Sequence, residues 1–116
     1  MNCIYTRLLI PFAAALLLGA CARHPAVTVV NASTVRLDAV VVHGSGFEQP
    51  LGSLEPGERR RLKIEPSGET GLGIRFEHPG GAVMHAPQGY FENSGHYSVI
   101  GTVTTELGWQ VAGELR

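Results

Sequence analysis

Val35-Arg36-Leu37-Asp38-Ala39-Val40-Val41-Val42 is the stretch from which the fold is read. Val35, Leu37, Ala39 and Val41 fall at alternate positions, with Arg36 and Asp38 between them. Successive side chains of an extended chain point to opposite faces, so this period of two predicts a strand whose odd positions face a core. Val40 and Val42 make its far end apolar on both faces, as for a strand passing under cover. His43-Gly44-Ser45-Gly46 then breaks it.

Outward from this strand the chain repeats the same signals. Upstream, Val27-Thr28-Val29-Val30 is β-branched and reads as a first strand, closed by Asn31-Ala32-Ser33. Downstream, Phe47 to Leu54 is a weaker strand that Pro50 and Gly52 assign to a sheet edge. Glu55-Pro56-Gly57-Glu58 predicts a type II turn, Pro presetting one φ and Gly supplying the positive one. Leu62 and Ile64 then alternate with Arg61, Lys63 and Glu65 on the returning strand. Pro66-Ser67-Gly68 leads into Leu72, Ile74 and Phe76, which alternate with Gly73, Arg75 and Glu77 until Pro79-Gly80-Gly81. Residues 82–95 are the least regular: a short strand at Ala82-Val83-Met84-His85, then Ala86 to Phe91 as an ordered loop with an aromatic anchor. His96 to Thr105 is a long strand carrying Tyr97, Val99 and Val103 on one side, and Glu106-Leu107-Gly108 turns it into Trp109 to Gly113. Turn signals every ~8–12 residues, with no helical period and no repeat, predict an all-β sandwich of about seven strands. Its expected core is Val29, Leu37, Ala39, Val41, Leu62, Ile64, Leu72, Ile74, Phe76, Tyr97, Val99, Val103 and Trp109.

The first twenty residues obey a different rule. The Met1 amine and Arg7 precede Leu8 to Leu18, apolar but for Pro11, within the ~7–15 residues of a secretory h-region and short of the ~20 that span a bilayer. This helical segment ends in Leu18-Gly19-Ala20-Cys21, which resembles the lipobox of bacterial lipoproteins: an aliphatic residue, two small ones and the cysteine that is lipidated. The resemblance covers only the first 21 residues. It implies cleavage before Cys21, a diacylglyceryl thioether and an acylated amino terminus. Each buried CH₂ contributes ~0.8 kcal/mol, so several chains hold firmly where one does not. Ala22, where an aspartate would mark inner-membrane retention, implies the outer membrane, facing the periplasm. The expected organisation is a signal peptide over 1–20, a lipidated cysteine and tether over 21–26, and one β domain over 27–116.

Cleavage would leave 96 of the 116 residues, enough for a single core. Arg7 leaves with the signal, so eight basic residues face ten acidic ones, a balance that suggests no nucleic-acid partner. Cys3 also leaves and Cys21 carries lipid, so the domain would have no disulfide, thiol nucleophile or cysteine ligand. Val29 to Ser33, Leu37 to Val42 and Leu54-Glu55-Pro56-Gly57-Glu58 resemble the opening of immunoglobulin-like modules of bacterial envelope proteins. The likeness covers about half of the domain and lacks the cysteine pair and the mid-strand tryptophan of those modules. It implies an immunoglobulin-like antiparallel sandwich that binds, spaces or decorates.

Four clusters bear on chemistry. The histidines at 24, 43, 78, 85 and 96 show no ligand spacing, and scattered surface positions outweigh a metal site. The metal alternative, a periplasmic copper or zinc binder, would use His78, Met84 and His85. Asp38, His43 and Ser45 are close in sequence, but an odd separation puts Asp38 and His43 on opposite strand faces, and Gly44-Ser45-Gly46 is no nucleophile elbow. Arg59, Arg61 and Lys63 share one strand face as a cationic stripe for phosphate-bearing headgroups or polyanionic polymers, unless their office is to keep an edge strand from pairing. Tyr90 and Phe91 lie in a glycine-bounded loop, as a binding platform or as a plug for the sandwich. The expectation is a non-enzymatic, cofactor-free module anchored to the membrane by lipid, with an envelope protein or polymer as partner.

Overall fold

Alternation of apolar and polar residues gives the central strands of the fold one buried face. The computed structural model describes residues 24–93 and 96–115. The lipobox and its cysteine lie outside these described residues. Within them run β1 (Ala26–Asn31), β2 (Leu37–Gly44), β3 (Phe47–Leu54), β4 (Arg59–Lys63), β5 (Thr70–His78), β6 (Gly81–Phe91), β7 (Tyr97–Val103) and β8 (Trp109–Leu115). One sheet has the order β4-β1-β7-β8 and the other β3-β2-β5-β6, four strands each. The architecture is thus a two-sheet, sandwich-like all-β fold with eight strands rather than seven. It is not wholly antiparallel, because β1 pairs in parallel with β7.

Between the sheets lie Val27, Val29, Leu37, Val40, Val42, Leu54, Leu72, Ile74, Phe76, Phe91, Val99, Val103 and Trp109, all buried. The alternations of β5 and β7 hold as expected, with Tyr97 half-buried at the end of its row, and so does the edge position of β3. The unbroken alternation expected of β2 does not hold. Its pairing shifts between Leu37 and Val40, and Ala39 takes a left-handed φ of +48°. A bulge adds one residue and reverses the phase of the strand beyond it. Val40 and Val42 therefore enter the core, Ala39 is exposed and Val41 is half-buried on the outer face.

Two further expectations are corrected. The turn at Glu55–Glu58 forms as predicted, with Gly57 at φ +83° and the Glu58 N–H donating to the Glu55 carbonyl at 2.9 Å. The strand after it does not return alongside β3, however. β4 crosses to the opposite sheet and pairs with β1, its Leu62 half-buried opposite Val27. Residues 86–91, expected as a loop, extend β6 to eleven residues. Pro87 is tolerated because β6 is an edge strand, and Gly89 at φ +77° absorbs irregular pairing with β5.

Asn31 ties the two sheets at one end. It is fully buried, with Nδ2 donating to the carbonyls of Val35 (2.9 Å) and Leu54 (3.0 Å). Its Oδ1 accepts from the Ser33 N–H (3.0 Å) and hydroxyl (2.6 Å). The backbone N–H donates to Glu58 O, and the carbonyl accepts from Gly57 N–H. Every hydrogen-bonding position of this amide is filled, which is what permits its burial. Trp109 bridges the sheets through the core, its indole N–H donating to the Leu72 carbonyl at 2.8 Å. Gly101 leaves room for that ring: a Cβ there would sit 2.2 Å from Cη2.

Candidate functional site

The outer face of the first sheet is assembled by register. Arg59, Arg61 and Lys63 on β4 stand opposite Val30, Thr28 and Ala26 on β1, which stand beside Thr102, Ile100 and Ser98 on β7. All three cations are exposed, as expected of one strand face. Alternate positions are ~6.8 Å apart, so the stripe spans ~13 Å. Side chains of a strand stand roughly perpendicular to the sheet, so these project from its face as well as marking its edge. β4 is indeed an edge strand.

The other described cations are engaged in the fold. Arg36 pairs with Asp38 (2.8 Å) and Glu55 (3.1 Å), and Arg75 with Glu48 (2.8 Å). Arg60, pointing the other way from its neighbours on β4, donates to the Leu51 and Ser53 carbonyls at 2.7 and 3.2 Å and to Glu58 at 2.7 Å. That side chain closes the gap where the turn has carried β4 away from β3. Among the described residues no ion pair reaches Arg59, Arg61 or Lys63. The paired guanidiniums hold Glu48 and Glu58 below the usual carboxylate range, through hydrogen bonds from Arg75 and Arg60.

The aromatic pair at the end of β6 separates. Phe91 is fully buried and tilts against Phe47 at 6.5 Å, so it is the plug and not a platform. Tyr90 is 51% exposed, packs edge-on to Tyr97 at 6.1 Å and donates its hydroxyl to Glu92 at 2.7 Å. That bond raises the Tyr90 pKa above its ordinary value. His24 and the buried Pro25 dock the tether on this same end, His24 reaching Asn93 (3.4 Å) and Glu65 (3.8 Å).

The metal trio is not brought together. Met84 pairs with Arg75 and is 67% exposed on the outer face, whereas His85 pairs with the buried Ile74 and so faces inward. His85 Nε2 lies 2.8 Å from the Leu107 carbonyl, which only accepts, so that nitrogen carries a proton. His78 stands four pairs further along the ladder, ~13 Å away, and its Nδ1 accepts from Gly80 N–H. Among the described residues no three His, Cys, Asp or Glu side chains are grouped to hold a metal.

Asp38 and His43 are kept apart for a different reason from the one expected. The bulge at Ala39 returns both to one face, opposite Glu77 and Gly73, and it is those four residues of β5, ~13 Å, that separate them. The His43 ring lies over Gly73, where a Cβ would be 2.4 Å from Cε1. Two depressions are lined by described residues. A cleft of about 620 Å³ between His24, Phe47, Glu48, Lys63, Ile64 and Glu65 is predominantly polar. A shallow one of about 410 Å³ on the second sheet's outer face is floored by Ala39, Val41, Ala82 and Met84.

The phase reversal in β2, the β6 strand and the Asn31 node are what residue patterns missed; the positive φ at Ala39 has no glycine to announce it. Comparison with solved structures places the chain beside one described as the NMR structure of the protein from Eubacterium rectale. The two share a TM-score of 0.55 and 12% identity, over 78% of this chain and 87% of that one, a likeness of fold alone. No protein-family model matches the sequence, and no curated protein does.

Proposed function

We propose that this protein is a small lipoprotein of the bacterial envelope, fixed at Cys21 and facing the periplasm from the outer membrane, and that its domain binds or positions an anionic partner without catalysis. The observation that carries this reading is the division of labour among its cations: Arg36, Arg60 and Arg75 are spent on the fold's own carboxylates and carbonyls, while Arg59, Arg61 and Lys63 are left exposed in a row. Charges that stabilise nothing internally are available to a partner. The lipobox-like Leu18-Gly19-Ala20-Cys21 supports the anchor, and the two four-stranded sheets are compatible with an immunoglobulin-like module.

The test has two parts. Radiolabelled palmitate should enter the wild-type protein, and Cys21→Ser should abolish the label and release the protein from membranes. Crosslinking in intact cells, to photoactivatable lipids as well as to proteins, should then return a partner, lipid or protein, that is lost when Arg59, Arg61 and Lys63 are all replaced by serine. Failure of palmitate to enter the wild-type protein sinks the anchor; a partner set unchanged by the triple substitution sinks the assignment to the stripe.

A further inference from the structure

We infer that the partner of this face is the anionic headgroup layer of the membrane to which the chain is anchored, so that the domain lies on the bilayer on the outer face of its first sheet. The inference rests on the lipidation of Cys21. Its geometry comes from the register Ala26↔Lys63: the chain enters the sandwich beside the last cation of the stripe. Because His24 and Pro25 are docked on the fold, the free leash is the three residue steps from Cys21 to His24, a reach of at most ~11 Å. A domain standing upright on that leash would bring only Lys63 near the headgroups. Arg59, ~13 Å farther along the strand, would lie beyond the ~8 Å Debye length at physiological salt. Lying on this face brings all three cations to the surface at once.

The rest of the face suits such contact. Between the stripe and the far strand it carries Thr28, Val30, Ser98, Thr102 and the 39%-exposed Ile100, without a described acidic side chain; the exposed Glu65, two residues beyond Lys63, lies 3.8 Å from His24 at one end, and Glu114 is placed by register on β8 at the opposite edge. The opposite outer face sets Asp38, Glu48 and Glu77 against Arg36 and Arg75, which leaves it no net attraction for an anionic surface. Three basic residues add about a hundredfold to residence at an anionic surface, too little for a free domain but ample to orient one already held by lipid.

The experiment reconstitutes the full lipidated protein in vesicles of neutral phosphatidylcholine, or with about one-third phosphatidylglycerol, with a nitroxide quencher on the headgroups. A fluorophore is placed on Ile100→Cys or, as reference, on Met84→Cys of the second sheet. Quenching at 100 should rise severalfold on anionic vesicles, with little at 84. The rise should vanish in about 1 M salt, where the Debye length is ~3 Å, and in the Arg59→Ser/Arg61→Ser/Lys63→Ser variant, whose fold is checked by circular dichroism. Equal quenching on both vesicle types, quenching at 84 matching that at 100, or indifference to the triple substitution overturns the inference while leaving the anchor standing. Protein that floats with neither vesicle overturns the anchor and the inference with it.

Discussion

Replacing Asn31 by alanine strips four hydrogen bonds from a site with no access to water. The Val35 carbonyl keeps the Ser33 hydroxyl at 3.1 Å, but the Ser33 N–H loses its acceptor and the Leu54 carbonyl loses the amide donor. Each buried group left unsatisfied costs about 1–3 kcal/mol, so the variant should lose about 2–5 kcal/mol. For a domain of this size that lowers Tm by roughly 10 °C or more. Asn31→Asp gives a sharper contrast. It keeps the acceptor, loses both donors and buries a carboxylate that prefers to be neutral. Its folded pKa is therefore raised, and its deficit against the wild type at the same pH should grow as pH rises through that value. Urea unfolding, tracked by Trp109 fluorescence and far-ultraviolet circular dichroism at pH 7 and near pH 5, measures both. A loss under about 1 kcal/mol for Asn31→Ala would show that water or a local rearrangement satisfies these groups and that the node is not what ties the sheets.

The bulge predicts an inverted pair: Val40→Ala should cost about 2 kcal/mol and Val41→Ala under about 1, as read by denaturant midpoints, and the reverse order would restore the unbroken alternation. Phe76→Ala should cost about 3–5 kcal/mol, and a loss under 1 would place that ring outside the core. Gly101→Ala should push the indole off the Leu72 carbonyl, costing about 2–4 kcal/mol and shifting Trp109 emission to the red; unchanged emission would count against the bridge. Stability should decline on acidification: Glu48 and Glu58 have folded pKa values below their ordinary 4.5, so their contribution is present above that value and lost as pH falls through the folded values. A Glu48→Gln/Glu58→Gln variant should show a shallower acid slope in thermal melts, and an identical slope would show that these pairs contribute nothing to it.

What the sequence makes legible is the local period, and what it hides is the long-range partner. Leu72, Ile74 and Phe76 alternate without interruption, and the structure buries all three. Val35 to Val42 alternates as clearly, yet a single inserted residue moves the core from Ala39 and Val41 to Val40 and Val42, because the side-chain period of a strand is two. Valines on both faces were compatible with either phase, so composition could not choose. Asn31 reads as a turn former from its neighbours, whereas its burial depends on Leu54, twenty-three residues away. Gly57 makes the turn at Glu55–Glu58 plain, but nothing local says whether the next strand returns to the same sheet. Of the candidate sites, the stripe was legible because alternation alone puts Arg59, Arg61 and Lys63 on one side. That the remaining described arginines are consumed by Glu48, Glu55, Glu58 and Asp38 required the fold.

Everything proposed for this face presupposes a domain held at the membrane by Cys21, and the amino-terminal peptide of the protein purified from membranes tests that anchor without intermediaries. Mass spectrometry of that peptide should show a chain beginning at Cys21, with a diacylglyceryl group on the sulfur and an acyl group on the amine. A mature chain that begins elsewhere, or a Cys21 that carries a free thiol, would contradict it.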